Sequence, residues 1–495
     1  MSVTQNGKGY NRTLAFTIMM LAAISGSLMQ TSLGTALPSL MKAFDISIST
    51  AQQATTWFLL TNGIMVPLSA YLANRVPTKY LQLSASLALL VGIIITMLTP
   101  ENSNSWWIFV AGRIVTALGV GIVMPLLQIV IINMYAPEER GAAMGMMGLV
   151  VGMGPAIGPT LTGWILKENH TIFGLTLSDH WQSIFIIPFI IIAIATLLTP
   201  VFVKNVIQTS KIKMDYFSVV LSTIGFGLFL WGFTNVSTQG WGDWSQVILP
   251  ISAGIVVIIL FGWRQLKLDK PFLDIRVFMN KEFTIASAQI ILLTMAMYGV
   301  EMMLPTYLQN VRGLNPFDSG LTLMWGALCL GLISPIAGIL YNKVGTKRLS
   351  FVGFAMLALG TLPYIYLTPE TPTLLITVLY TMRMAGVALT MMPLTTAAMS
   401  ALPDSMGSHG TAANNTVRQV ASSVVVALMT SVVQNVTSNH LPSSSLKTTD
   451  PILYASKALN ASMDGFQIAF ILSFIFAVIG IFLLIFLKSG KESNK

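Results

Sequence analysis

Ala70-Tyr-Leu-Ala-Asn-Arg-Val-Pro-Thr-Lys79 returns 268 positions later as Gly338-Ile-Leu-Tyr-Asn-Lys-Val-Gly-Thr-Lys347. Each copy ends one long apolar run, turns tightly through basic residues and opens the next run. Other anchors repeat at nearly the same offset: Leu37-Pro38 with Leu304-Pro305, Trp57 with Trp325, Arg140-Gly141 with His409-Gly410, and Arg113 with Arg383. A constant offset over such distances marks a duplicated unit rather than a local motif.

The composition names the solvent of that unit. The chain has 495 residues, 54% hydrophobic and only 9% charged, with a mean hydropathy of +0.74. A soluble domain carries about a quarter charged residues. Charge-free windows near 13–37, 51–73, 80–99, 106–134, 141–166, 181–203, 216–236 and 246–263 are long enough to cross a bilayer, which takes about 20 residues. Six more follow near 283–309, 319–341, 349–367, 372–399, 408–435 and 465–487. The first window exceeds a signal peptide's apolar core and leads into further spans, so it reads as a retained helix.

Eight windows precede the second copy's first span and six belong to that copy. The expected fold is therefore all-α and integral to the membrane: a six-helix bundle over 1–204, a two-helix insert over 205–270, and a second six-helix bundle over 271–495, fourteen transmembrane helices in all. An even insert keeps both bundles in the same orientation, the arrangement of transporters built from parallel repeats, whose substrate site lies near mid-membrane.

The net charge of +9 is a matter of topology. With the N-terminus inside, nineteen Lys and Arg fall in cytoplasmic segments against five outside, Lys42, Lys167, Arg312, Lys447 and Lys457. Both termini are expected in the cytoplasm and the 436–463 segment is expected as a long external loop. That sorting removes the case for a nucleic-acid partner. Cys329 is the only cysteine, which excludes an intrachain disulfide and any multi-cysteine metal site. The histidines lack metal-ligand spacing, there is no nucleotide-binding G-x-x-x-x-G-K-[ST] loop and no nucleophile triad, so neither a cofactor nor an enzyme is expected.

Of 18 acidic residues, only Glu301 falls within a span. A charge at a helix centre costs about 2.5–3.5 kcal/mol on insertion scales, which makes it a functional candidate by default: proton carrier, contact for a cationic substrate, or partner of an arginine. Arg113, Arg383 and Arg418 also lie within spans. Arg113 and Arg383 each precede a small-residue stretch and a Met-Pro-Leu, at 124–126 and 392–394. A guanidinium stays charged and must face water, a carboxylate or backbone carbonyls; Arg113 can tune a protonation site or simply join helices.

The fifth span carries Gly141, Gly145, Gly148, Gly152, Gly154, Gly158 and Gly163, with Gly154-Pro155 and Gly158-Pro159. Glycines four apart admit a neighbouring backbone, and two Gly-Pro steps point to a shaped contact between the halves. The paired turns, Asn74, Arg75 and Lys79 against Asn342, Lys343 and Lys347, read as positive-inside residues and as a conformational latch between helices.

These motifs resemble those of the major facilitator superfamily, and within it the fourteen-helix drug:proton antiporter family. The 70–79 segment resembles the signature between helices two and three, Arg113 to Pro125 the fourth-helix signature, and Gly148 through Trp164 the fifth-helix antiporter motif. Leu402-Pro403, His409-Gly410-Thr411-Ala412 and Arg418-Gln419 resemble the segment around helix thirteen of that group. The resemblance implies a monomeric proton-coupled exporter of lipophilic small molecules, working by alternating access in the cell membrane among lipid. A facilitator or importer of a small polar solute is the alternative, and it would ask for more polar spans than these Met- and Phe-rich ones. The chain departs from the family pattern: Asn74 stands where an aspartate is usual, Pro77 where a glycine is, Met29 where many members have an aspartate, and Thr116 where glutamine is frequent. These departures shift the coupling role onto Glu301, in the second half's counterpart of the first helix.

Overall fold

The computed structural model describes residues 2–3, 9–46, 48–172, 175–207, 209, 215–269, 271, 273–403 and 406–487. Lys8, Lys211, Lys213, Lys270, Lys488, Lys491 and Lys495 of the topological count lie outside the described residues. The helices of the first part are α1 (Arg12–Thr31), α2 (Leu33–Phe44), α3 (Ile48–Arg75), α4 (Thr78–Met97), α5 (Trp106–Met134), α6 (Pro137–Lys167) and α7 (Ile186–Phe202). Then come α8 (Tyr216–Gln239), α9 (Leu249–Lys267), α10 (Lys281–Asn310), α11 (Pro316–Val344), α12 (Thr346–Thr361), α13 (Thr373–Ser400), α14 (Gly407–His440), the short α15 (Ser444–Thr449) and α16 (Pro451–Leu483). Among the described residues, thirteen helices are long and apolar enough to cross a membrane. The 31-residue α6 packs along α11 as a fourteenth long helix of the assembly.

Two expected boundaries are corrected. The first crossing is α1 and α2 in series, with a break at Ser32 whose Oγ donates to Leu28 O at 2.6 Å. The expected 436–463 loop is mostly helical: α14 runs on to His440, and α16 begins at Pro451. Asp450 caps that start by accepting from Leu453 N at 3.0 Å, with proline at the first helical position where its missing N–H costs nothing. A helix needs only its backbone bonds and caps, so it can continue past the apolar stretch that marks the membrane.

Hydrogen bonds fix which helix ends share a face. On the face that carries the chain termini, Arg12 pairs bidentately with Glu139 at 2.6 Å, Thr78 Oγ1 accepts from Val206 N and Ile207 N, and Lys347 Nζ donates to Ile485 O at 3.1 Å. The Arg12 guanidinium beside Glu139 holds that carboxyl below the usual carboxylate range. On the opposite face Trp181 Nε1 donates to Glu101 at 2.9 Å and Gln467 to Leu367 O at 3.4 Å.

The duplicated segments turn the same corner with different backbones. Pro77 precedes α4 at φ −55°, whereas Gly345 precedes α12 at φ +86°, a left-handed value that glycine adopts without penalty. Pro67 and Pro335, at the same offset, lie inside α3 and α11.

The two repeats meet along two seams. In the first, α6 and α11 touch backbone to backbone: a Cβ on Gly145 would lie 2.6 Å from Pro335 Cα, and one on Gly148 2.7 Å from Ser334 Cβ. Gly141 and Gly338 face each other so closely that a methyl on either would overlap the other's carbonyl oxygen. The second seam joins α3 to α14, with α8 packed against both. Between the seams, Asn415 Nδ2 donates to Gln128 Oε1 at 2.6 Å, a buried bond from α14 to α5. The hairpin of α8 and α9 is clamped at its base by Asp215, which accepts from Arg264 Nε at 3.0 Å and NH2 at 2.9 Å. Burial pushes the Asp215 carboxyl up, but the bonds from Arg264 and Ser218 outweigh it and hold it below the usual range.

A prediction follows from the first seam. Gly338→Ala puts a methyl into the Gly141 backbone and should cost about 1–3 kcal/mol as overpacking, seen as a lower melting temperature in detergent. Gly34→Ala in α2, where a Cβ meets nothing within 4 Å, should melt like the parent. Equal melting of the two variants contradicts the close seam.

Candidate functional site

The polar residues of the spans gather in two unlike places. In the second half, α10 contributes Tyr298 and Glu301, α13 contributes Tyr380 and Arg383, and α14 contributes Arg418. The Glu301 carboxylate lies within electrostatic range of Arg383, Tyr298 and Tyr380, and Arg418 within range of Tyr298. Glu301 keeps part of its surface accessible, and among the described residues it makes no ion pair within 4 Å. Tyr380 owes its position to Gly326 of α11, where a Cβ would collide with the phenol ring.

Arg383 is built into the bundle. It is fully buried; its Nε donates to Thr361 Oγ1 at 2.8 Å and its NH2 to Ala296 O at 2.9 Å, so one guanidinium ties α13 to α12 and α10. Gly360 leaves the space, since a Cβ there would lie 2.6 Å from Arg383 Cγ. Of the two readings given for these arginines, the helix-joining one describes the contacts of Arg383.

Arg113, expected from the sequence to be its repeat partner, is placed differently. Arg113 is 1% exposed and its guanidinium stacks 4.2 Å above the Phe58 ring. Its Nε and NH2 find no hydrogen-bond partner among the described residues. Arg383 packs beside Gly360, and beside the counterpart Gly92 of α4 stands Thr116, so Thr116 holds the place of Arg383 in α5 and Arg113 lies about one turn away. A cation over an aromatic face gains about 0.5–2 kcal/mol, which offsets only part of two unmade bonds.

The glycine motif divides between two neighbours. Gly141, Gly145 and Gly148 face α11 in the other repeat, while Gly154 and Gly158 face Ser27 and Thr31 of α1. Thr31 Oγ1 donates to Gly154 O at 2.7 Å, and Thr35 Oγ1 to Pro159 O at 3.5 Å. Gly154 and Gly158 thus shape a contact within the first half, and the contact between halves belongs to Gly141, Gly145 and Gly148, with Gly163 against Phe317. Gly152 and Pro155 lie in α6, with their surroundings outside what the structure describes.

The paired turns are not brought together. Lys79 donates its backbone N–H to Asn205 Oδ1 at 3.1 Å, and Arg75 bonds the Tyr71 hydroxyl. Lys347 reaches Ile485, Lys343 is exposed, and the Asn342 side chain is not described. Asn74 is half-buried at the end of α3. Residues that sequence reasoning passed over include Phe58, Tyr298, Thr361, Tyr380 and the Gln128–Asn415 pair.

A family model described as Major Facilitator Superfamily matches residues 19–426. An uncharacterized MFS-type transporter, YcnB of Bacillus subtilis (strain 168), is 38% identical over 494 residues, covering 99% of this chain and 98% of that protein. The lincomycin resistance protein LmrB of the same organism is 34% identical over 478 residues, with 96% of each covered. A multidrug resistance protein B homolog of Mycobacterium tuberculosis is 25% identical over 398 residues, covering 78% of this chain and 71% of that one. Among solved structures, the human organic anion transporter MFSD10 superposes with a TM-score of 0.60 at 13% identity, over 94% of this chain and 99% of that one. The xylose transporter XylE of E. coli superposes at 0.58 and 13%, covering 97% and 99%. At such identity these likenesses concern the fold alone.

The unequal arginines give a measurable contrast. Arg383→Lys replaces a planar fork with one ammonium that cannot reach both Thr361 and Ala296, and should cost on the order of 1–3 kcal/mol. Arg113→Lys, which gives up neither bond, should cost less. Detergent melting curves decide it; equal or reversed losses contradict the placement.

Proposed function

From a chain that belongs to the Major Facilitator Superfamily, we propose a proton-coupled exporter of lipophilic compounds, in the fourteen-helix drug:proton antiporter group, working by alternating access. Its halves are the bundles of 1–204 and 271–495, which rock about the path between them, with 205–270 as insert. The face carrying the termini is cytoplasmic, as the bias of nineteen basic residues to five argues. Export, rather than uptake, is favoured by relatives named for resistance to lincomycin and to multiple drugs. Lincomycin is accordingly the first substrate to try, followed by lipophilic dyes.

The observation that carries the coupling is Glu301: a carboxylate inside a 30-residue helix, partly accessible, with no ion pair within 4 Å among the described residues. A buried structural carboxylate would be paired. One that must bind and release a proton is better left with tyrosines and a guanidinium already engaged elsewhere, as Arg383 is by Thr361 and Ala296. Arg113 is the buried cation of the first half, whose Nε and NH2 lack hydrogen-bond partners among the described residues. The fifth-helix glycines set the packing that α1 and α11 need as the halves move, and the turns at Asn74, Arg75, Lys79, Asn342, Lys343 and Lys347 act as the latch on the cytoplasmic face.

The test is Glu301→Gln in proteoliposomes with an imposed pH gradient. Glutamine keeps the shape and hydrogen bonding but cannot cycle a proton. The variant should lose uphill efflux at least tenfold while still binding substrate or exchanging it downhill. Uphill efflux at the parent rate would end Glu301's assignment as proton carrier.

A further inference from the structure

The duplicated chain makes α3 and α11 equivalent helices, yet their outer faces have different surroundings. On α11 an apolar stripe points away from the bundle: Trp325, Leu332, Ile336 and Ile339 are exposed by 56%, 68%, 54% and 52%. Their counterparts on α3, 268 positions earlier, are Trp57, Ile64, Leu68 and Tyr71. None of these is exposed. Trp57 lies 5.4 Å from the Trp231 ring of α8, Ile64 packs on Gly227, and Tyr71 clusters with Phe261 of α9, Leu273 and Ala412. The insert therefore covers, on one seam only, the surface that the other seam leaves bare.

The two sides of the insert are attached by different physics. Toward the second half, directional ties at the chain link and in the first residues of that half accompany an apolar contact. Gln265 of α9, bonded within the insert to Ser218 at 2.7 Å, accepts from Leu273 N at 3.2 Å. The next residue, Asp274, donates its N–H to His409 Nδ1 in the first turn of α14 at 3.1 Å. Arg276 donates to Leu266 O and Leu268 O, and Asn280 to Ala401 O at 2.8 Å. At the other face Val236 and Val247 pack on Ala427 of α14. Toward α3 the insert offers rings, Leu230 against Gly63, and Gly227 against Ile64. Apolar contacts of this kind are non-directional and re-form after a shift of register, whereas the hydrogen-bonded chain must break to move.

We propose that the two-helix insert is a sliding cover: it travels with the second half and shears across the outer face of α3 as the halves rock. This rests on the alternating-access reading above. The insert keeps the α3 and α14 seam closed to lipid while that seam changes, a task the tight glycine seam of α6 and α11 does not require.

Three double-cysteine variants on a Cys329→Ala background test it, each assayed for efflux oxidised and again after reduction. Gln128→Cys with Asn415→Cys locks the halves together; Ile64→Cys with Gly227→Cys locks the insert to α3; Val236→Cys with Ala427→Cys locks it to α14. The expected result is at least tenfold, reversible loss of efflux on cross-linking the first two and no more than a twofold change for the third. If the locked 128–415 pair still transports at the reduced rate, alternating access itself fails. If that pair blocks but the 64–227 cross-link leaves efflux intact, or the 236–427 cross-link abolishes it, the sliding cover is overturned. Comparing oxidised with reduced protein removes folding from the question. Should a reduced pair be inactive, Trp57→Cys with Trp231→Cys, joined by a short bifunctional thiol reagent, replaces the α3 lock, and Val247→Cys with Ala427→Cys replaces the α14 lock.

Discussion

Where α6 crosses α11, Gly141 and Gly338 bring two backbones together with no side chain between them, and the assembly is arranged around that contact. In hydrocarbon, helices gain little from hiding apolar surface, so association depends on close packing and interhelical hydrogen bonds. The glycines supply the first along a whole helix, from Gly141 near one face to Gly163, whose Cβ would lie 3.6 Å from Phe317 Cα, near the other. With one seam closed so tightly, the opposite seam between α3 and α14 is free to be wider. It is there that α8 enters, while the buried Gln128–Asn415 bond from α5 to α14 lies between the two seams.

The asymmetry of the seams is matched by an asymmetry of charge. Arg383 donates to Thr361 and Ala296 and keeps one donor, NH1, without a partner, while Arg113 keeps two among the described residues. Arg383 owes its bonds to the Thr361 hydroxyl and the Ala296 carbonyl, whereas Arg113 lies over the Phe58 ring. The only carboxylate placed deep in a described span lies within electrostatic range of Arg383. Charge neutralisation across the bundle is thereby left incomplete in both halves, which fits the proposed proton coupling.

The helices themselves were legible because hydrocarbon imposes long charge-free windows, and the duplication because its turns carry Asn, a basic residue and Thr-Lys in register. Helix ends beyond the membrane were not. Asp450 and Pro451 start α16 by local capping, which a hydropathy window does not register. The faces of α6 were half legible. Gly141, Gly145 and Gly148 are spaced by four and three, so they share a face, whereas the six residues to Gly154 turn the stripe by about 240°. That turn carries it from α11 to α1, a change the spacing contains and the motif as a whole conceals. Phe58, Thr361 and Tyr380 were not legible as site residues, because each belongs to the site only through a helix distant in sequence.

The central claim is that the two repeats move as bodies about the seams. Spin labels at equivalent exposed positions report it directly: Tyr80→Cys with Arg348→Cys on the face of the termini, and Asn104→Cys with Glu370→Cys on the opposite face, in the Cys329→Ala background. Pulsed-resonance distances in lipid nanodiscs would be compared between alkaline and acid buffer, with and without lincomycin. The account predicts distance changes of opposite sign, one pair separating as the other closes. Two pairs that stay fixed under every condition, or that lengthen and shorten together, would contradict it.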